Sequence, residues 1–160
     1  MSIRTLSETA WRDHPLNRLK GGMIAVLVWA SMQLLFAIAV AGGLAFFGTG
    51  WLFREGVPDA YEWLLWGAMV AGPLLIVPAM LRKNPLTPAL YAAYIGVTFL
   101  LLLGAEFYAL DWFSASRYEV DGGWIGAAIF ALAVTIDLIV IFYLFRGARP
   151  NVIFRRRELT

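Results

Sequence analysis

Four long apolar runs separated by short polar segments dominate the pattern of this chain. The runs cover residues 23–47, 63–81, 87–112 and 124–145. An α-helix needs about 20 residues to cross a hydrocarbon layer about 30 Å thick, and each run is close to that length or longer. We therefore predict an all-α polytopic membrane protein, in which four transmembrane helices form one up-down-up-down bundle.

The first run has an alternative interpretation as a signal peptide. Ala39-Val40-Ala41 resembles a small-residue cleavage site, which would follow the apolar part of such a peptide. The apolar run continues to Phe47, however, and this is too long for the apolar part of a signal peptide. We therefore expect a transmembrane helix at residues 23–47.

Polar, basic segments lie before the first run and after the last. In residues 1–22, Thr5 and Glu8 have the spacing of a capping box, which predicts a short interfacial helix that closes at Pro15. A disordered segment is the alternative. Residues 146–160 are basic with a short apolar insert, and we interpret them as a cytoplasmic tail.

Composition supports the membrane assignment and excludes several classes of site. Apolar residues make up 61% of the chain and charged residues 15%, against about 45–50% and about 25% in soluble proteins. There is no cysteine, which excludes disulfides, thiolate nucleophiles and cysteine-bound zinc or iron–sulfur clusters. We find no nucleotide-binding, metal-binding or catalytic motif, so we predict no enzyme activity and no cofactor.

The basic residues predict the orientation of the bundle. With four spans, only Arg54 and Arg117 fall on one side, and the other eleven basic residues fall on the side of both termini. The positive-inside rule therefore places both termini in the cytoplasm, and we expect a bacterial inner (cytoplasmic) membrane. The tryptophans agree with this orientation, because four of them lie at span ends on the opposite side, where indole rings favour the headgroup level. They are Trp51, Trp63, Trp112 and Trp124.

Asp137 is a carboxylate near the middle of the fourth run. Inserting a charge there costs about 2.5–3.5 kcal/mol, so this residue should face the bundle, have a polar partner or be protonated. At ~1.5 Å per residue, Asp137 and Gln33 lie ~12 and ~15 Å from the same end of their helices. We predict a hydrogen bond between them, with Ser31 as the next candidate. Proton or cation binding by Asp137 is the alternative.

A second group of acids lies toward the opposite end of the bundle. Glu62, Glu106 and Asp111 are the members of this candidate outer acidic rim. They would attract a cation or pair with arginines, or they are merely solvated acids at helix ends, where ion pairs contribute little.

Three passages resemble a family of small bacterial membrane proteins classified only as a domain of unknown function. They are Leu19-Lys-Gly-Gly-Met23, Leu81-Arg-Lys-Asn-Pro-Leu-Thr-Pro88 and Tyr143-Leu-Phe-Arg-Gly-Ala-Arg-Pro-Asn-Val-Ile-Phe154. The resemblance implies four helices and a membrane location, and it implies no activity.

Three functions remain open on this sequence. The favoured interpretation is a non-catalytic accessory, assembly or structural subunit of a larger membrane complex, because short loops leave little soluble surface for chemistry. Its partners would be the lipid bilayer and another membrane protein or further copies of the chain, and not nucleic acid. The alternatives are an oligomeric transporter or channel that uses Asp137, and an enzyme acting on lipid or quinone.

Overall fold

The structure is a computed structural model and describes residues 3–47, 59–109 and 123–159. Within those residues the chain forms six helices and one two-stranded ribbon. The elements in chain order are β1 (Ile3–Thr5), α1 (Glu8–Asp13), α2 (Gly22–Phe47), α3 (Asp59–Leu81), α4 (Thr87–Ala109), α5 (Gly123–Arg146), α6 (Ala148–Arg155) and β2 (Arg157–Leu159).

The predicted all-α membrane fold is confirmed. Three stretches of the described helices are long and apolar enough to span a bilayer, namely Gly22–Gly43, Trp63–Leu81 and Thr87–Gly104. A fourth span is counted if Ala131–Arg146 and Ala148–Arg155, which are bent by 64° at Gly147, are taken together. The chain is therefore a polytopic membrane protein, and its described residues contain three to four helices that can span a membrane.

The main core lies where α2 and α4 begin and where α3 and α5 end. Met23, Met80, Tyr91 and Leu144 come from these four helix ends, and all four are fully buried in one cluster. Helices that alternate start and end in this way run antiparallel to their neighbours in sequence. We call this end of the bundle the basic end, because most of the lysines and arginines lie there.

The outward faces of the long helices are apolar. Leu35, Leu75, Leu100 and Phe142 belong to four different helices, and each is about two-thirds exposed. In water such surfaces would be an aggregation hazard, whereas hydrocarbon chains cover them without penalty. The burial pattern thus agrees with an exterior that contacts lipid.

The N-terminal segment differs from its prediction at the start of the helix. Thr5 does not cap α1, because it lies in β1 and pairs with Arg157 of β2. The N-cap is Ser7, whose hydroxyl accepts a hydrogen bond from the backbone N–H of Ala10 at 3.3 Å. Strand pairing with a segment 150 residues away in sequence thus displaces the cap from the position that the local motif indicates.

The segment that we interpret as a basic cytoplasmic tail contains regular structure, namely α6 and β2, and its location in the cytoplasm stays a prediction. Residues 150–154 of α6 are all buried, and Ile153 and Phe154 belong to the main core cluster. The Trp11 indole N–H donates to the Val152 carbonyl at 2.8 Å. We call β1, α1, α6 and β2 together the terminal cap, since they close the basic end as one unit.

A glycine on α3 allows a tyrosine of α4 to approach closely. A Cβ atom added at Gly72 would overlap the Tyr94 ring, with the ring Cγ only 2.6 Å away. Tyr94 is buried against the Gly72 backbone and packs edge-on to Tyr91, with the ring centroids 6.4 Å apart. Gly72 therefore sets the position of Tyr94, and through it that of Tyr91.

Candidate functional site

Asp137 lies inside the bundle and accepts three hydrogen bonds on one oxygen atom. The donors to its Oδ1 are the Trp29 indole N–H at 2.8 Å, the Gln33 side-chain amide at 2.9 Å and the Tyr91 hydroxyl at 2.8 Å. The residue is 9% exposed. We call Asp137, Trp29, Gln33 and Tyr91 the Asp137 cluster.

The helical repeat explains how the cluster forms. Trp29 and Gln33 are four residues apart, so both side chains project from the same face of α2. Tyr91 reaches the same oxygen from α4, and Asp137 is contributed by α5. Hydrogen bonds to a carboxylate oxygen are shorter and stronger than those between neutral groups. The cluster therefore ties α5 to α2 and to α4 at one point.

Packing by α3 supports the tyrosine of this cluster. The Tyr94 ring meets the Tyr91 ring at an interplanar angle of 78°, an edge-to-face arrangement that aromatic rings favour. Tyr94 itself is fixed by its contact with Gly72 of α3. The four long helices α2 to α5 thus all contribute to the position of the Asp137 carboxylate.

The structure brings together two of the three residues predicted for the buried polar group. The predicted hydrogen bond between Gln33 and Asp137 is present, whereas the placement of Ser31 in the group is wrong. The Ser31 hydroxyl donates to the Leu27 carbonyl of its own helix at 2.9 Å. Two residues correspond to a rotation of about 200° around a helix, so Ser31 and Gln33 face different directions.

Sequence reasoning missed two members of the cluster, Trp29 and Tyr91. The signal for Trp29 was its spacing of one helical turn from Gln33. Tyr91 was harder to find because its hydroxyl lies several ångströms from its own Cα, so a depth counted along the backbone does not give the position of the hydroxyl. A long side chain can therefore supply a donor at a depth that differs from the depth of its own Cα atom.

Three buried polar atoms have no hydrogen-bond partner among the described residues. They are the Gln33 Oε1, the Trp66 Nε1 and the Thr98 Oγ1. Such atoms are uncommon in protein interiors, where nearly all polar groups are paired. The Gln33 Oε1 is the one that belongs to the Asp137 cluster, and it leaves an acceptor open beside the carboxylate.

The candidate outer acidic rim lies outside the described side chains. Glu62 and Glu106 belong to α3 and α4, but their side chains are not described, and Asp111 lies outside the described residues. The rim therefore stays a prediction. Among the residues that the structure describes, no group of three or more histidine or acidic side chains is arranged to hold a metal ion.

Comparisons of this chain with protein-family profiles, curated proteins and solved structures found no match. The resemblance to a bacterial family of unknown function therefore stays a prediction. The features of the chain that bear on its function are the Asp137 cluster, the exposed helix faces and the basic end.

Proposed function

We propose that this chain is a non-catalytic accessory or structural subunit of a larger membrane complex. The observation that carries the proposal is the hydrogen bonding of the intramembrane Asp137 carboxylate to other helices of the bundle. The Asp137 Oδ1 already accepts three donors from two neighbouring helices. A carboxylate held in this way joins helices, and interhelical hydrogen bonds of this kind support bundle stability in membranes.

The outward face of α5 is the surface that we assign to the partner. Leu138, Ile139 and Phe142 are each about 60–70% exposed on this helix. The α5 backbone packs less closely against α4 than the α3 backbone packs against α2 and α4. A loosely packed, apolar helix at the edge of a bundle suits contact with a helix of another chain.

Neighbouring positions on α5 provide a matched test of this assignment. Ile139 is 62% exposed and Val140 is 7% exposed, so one side chain lies on the outer surface of α5 and the next lies in the core. A photoreactive amino acid at Ile139, activated in native membranes, should give a covalent adduct with one discrete protein. The same residue at Val140 should give no adduct with another chain.

The size of the adduct distinguishes a different protein from a second copy of this chain. If Ile139 forms adducts only with lipid, and the exposed Leu35 and Leu75 positions do the same, the accessory-subunit proposal is wrong. Purification in native nanodiscs measures independently whether another protein or a second copy of the chain copurifies with it.

A transporter or channel that uses Asp137 is the second candidate. The observation in its favour is the Gln33 Oε1, a buried oxygen of the Asp137 cluster that has no hydrogen-bond partner among the described residues. A transported proton or small cation would need acceptors of this kind inside the bilayer. Transport and structural roles make different predictions for the Asp137→Asn variant, as set out in the Discussion.

We further propose that the basic end faces the cytoplasm of a bacterial inner membrane, as eleven of the thirteen lysines and arginines belong to it. The chain contains no cysteine, so single cysteines can be introduced without background. A membrane-impermeant thiol reagent applied to intact cells should label Asp59→Cys and spare Arg157→Cys. Permeabilised cells should show labelling of both variants. Labelling of Arg157→Cys alone in intact cells would show that the orientation is the reverse of the proposed one.

A further inference from the structure

A basic cavity of about 450 Å³ lies under the terminal cap. Its polar lining comes from three segments that are distant in sequence: α1, the turn between α3 and α4, and the end of α6. The residues that define it are Trp11, Lys83, Pro85, Arg155 and Arg156. Three of these are cations, and the described residues that line the cavity include no acid.

Two of the cations converge on one aromatic ring. The Lys83 ammonium lies 5.6 Å from the centroid of a Trp11 ring, and the Arg156 guanidinium carbon lies 4.7 Å from it. The faces of aromatic rings attract cations, so Trp11 stabilises each of them. Two like charges held near one ring repel each other, and an anion bound close to both would offset that repulsion.

The backbone at both cations adopts an uncommon conformation. Lys83 has a φ of 53° and Arg156 a φ of 52°, and they are the two non-glycine residues with positive φ in the described part of the chain. Both residues end helices: Arg156 is the C-cap of α6, and Lys83 follows the end of α3 at Leu81. A left-handed residue is a common way to end a helix, and here the two helix ends bring two cations to the same cavity.

The cations are anchored but keep donors for a ligand. The Lys83 ammonium donates to the backbone carbonyl and the side-chain oxygen of Asn17, at 2.8 and 3.0 Å. Arg155 lies 4.8 Å from the centre of the Phe145 ring and donates to the Phe145 carbonyl at 3.3 Å. An ammonium has three N–H donors and a guanidinium has five, so neither group is fully used.

Charge and apolar surface near the cavity indicate the chemistry of the ligand. The sequence assigns eleven lysines and arginines to the basic end against three acids, Glu8, Asp13 and Glu158. Pro85 lines the cavity, and the next residue, Leu86, is 60% exposed at the start of α4. An anionic group beside apolar helix surface at a bilayer edge is the arrangement of a charged lipid.

We propose that this cavity binds the phosphate of an anionic phospholipid. Lys83, Arg155 and Arg156 donate to the phosphate oxygens, and the acyl chains lie along the exposed side of α4 from Leu86. Basic pockets at the ends of membrane helices recognise such headgroups by the same combination of charge and position. The proposal goes beyond the accessory role and does not depend on it.

The test measures lipid binding to the full chain purified in a neutral detergent. Phosphatidylglycerol, phosphatidylcholine and inorganic phosphate are titrated separately, with native mass spectrometry and the melting temperature as readouts. Phosphatidylglycerol should bind and raise the melting temperature, and phosphatidylcholine should have little effect. Arg155→Gln and Arg156→Gln should each weaken phosphatidylglycerol binding by about fivefold, the factor expected for one cation near an anionic surface.

Arg146→Gln is the matched control, because Arg146 is an exposed cation at the same end that does not belong to the cavity lining. It should keep at least half of the parent affinity. Equal weakening by Arg146→Gln and Arg156→Gln would overturn the site in favour of diffuse attraction. Equal binding of phosphatidylcholine, or of inorganic phosphate with the affinity of the lipid, would overturn the anionic-lipid assignment. Unchanged melting of the lipid-free Arg156→Gln variant verifies that its fold is intact.

Discussion

Replacement of Asp137 by leucine should lower the free energy of unfolding by about 2 kcal/mol and by at most about 5 kcal/mol, since interhelical hydrogen bonds in membranes contribute about 0.6 kcal/mol on average and up to about 1.7 kcal/mol each. Three donors, from Trp29, Gln33 and Tyr91, share the acceptor that this change removes. Leucine keeps the branched shape and is larger than aspartate, so the change leaves no cavity and the loss does not report on one. Unfolding by denaturing detergent, followed by Trp fluorescence, measures the difference.

Asp137→Asn is the matched variant, because it keeps an oxygen acceptor of the same reach but removes the charge. Its loss should be about 1 kcal/mol or less, as hydrogen bonds to a neutral acceptor are weaker than those to a charged one. If asparagine destabilises the protein as much as leucine does, the negative charge and not the shared acceptor holds the helices.

The same variant separates the two candidate functions. A structural role for Asp137 predicts that Asp137→Asn folds and assembles normally and keeps its partner adducts at Ile139. A transport role predicts normal folding together with the loss of proton-linked flux in proteoliposomes. An active parent with an inactive Asp137→Asn variant would therefore replace the accessory proposal by the transporter.

Gly72→Ala should destabilise the protein by about 1–3 kcal/mol, the usual range for overpacking an interior site. The added methyl group would meet the Tyr94 ring, which is buried and cannot move outward without disturbing Tyr91. Thermal unfolding in detergent measures the loss. A weakened Asp137 cluster should also make the Asp137→Leu change less costly in the Gly72→Ala background, since the two sites are coupled.

Gly67→Ala is the control on the same helix. A Cβ atom at Gly67 has no heavy atom within 4 Å, so alanine should be neutral or stabilise the helix by up to about 1 kcal/mol. Equal losses for Gly67→Ala and Gly72→Ala would show that backbone effects within α3, and not the contact with Tyr94, set the stability.

The spanning helices could be predicted from local pattern alone. A run such as 87–112 has only one low-energy arrangement in a bilayer, because a helix satisfies all of its own backbone hydrogen bonds. The Gln33–Asp137 contact was also within reach, as both residues are polar and lie at similar depth. Their pairing followed from the cost of leaving either group alone in hydrocarbon.

The remaining members of the Asp137 cluster depend on how the helices are rotated. Ser31 and Gln33 are close in depth, and only the orientation of α2 decides that Gln33 faces Asp137 while Ser31 bonds to Leu27. The α2 helix is apolar on all sides, so its sequence contains no amphipathic stripe that fixes this rotation. Packing against neighbours fixes it instead.

The terminal cap depends on contacts that no local pattern reveals. The apolar insert Val152-Ile153-Phe154 was visible in the sequence, but its partners are distant: the Val152 carbonyl accepts from Trp11, which is 141 residues away, and Ile153 and Phe154 pack into the main core cluster. Thr5 and Glu8 have the spacing of a capping box, but Thr5 pairs with Arg157 in the ribbon, and Ser7 caps α1 instead. The strand pairing satisfies backbone groups of residues 3–5 that a local motif cannot reach.

The meeting of the two ends of the chain has a consequence for biosynthesis. When α1 leaves the ribosome, the carbonyl that its Trp11 will contact and the strand that β1 will join have not been translated. Residues 3–13 therefore lack these partners until the spanning helices have been made. Residues 148–159 can dock only after α5 has been made, so an interrupted chain that lacks them would leave the basic end open. Membrane proteases that survey newly made proteins would then meet residues 3–13 without the partners that hold them in the terminal cap.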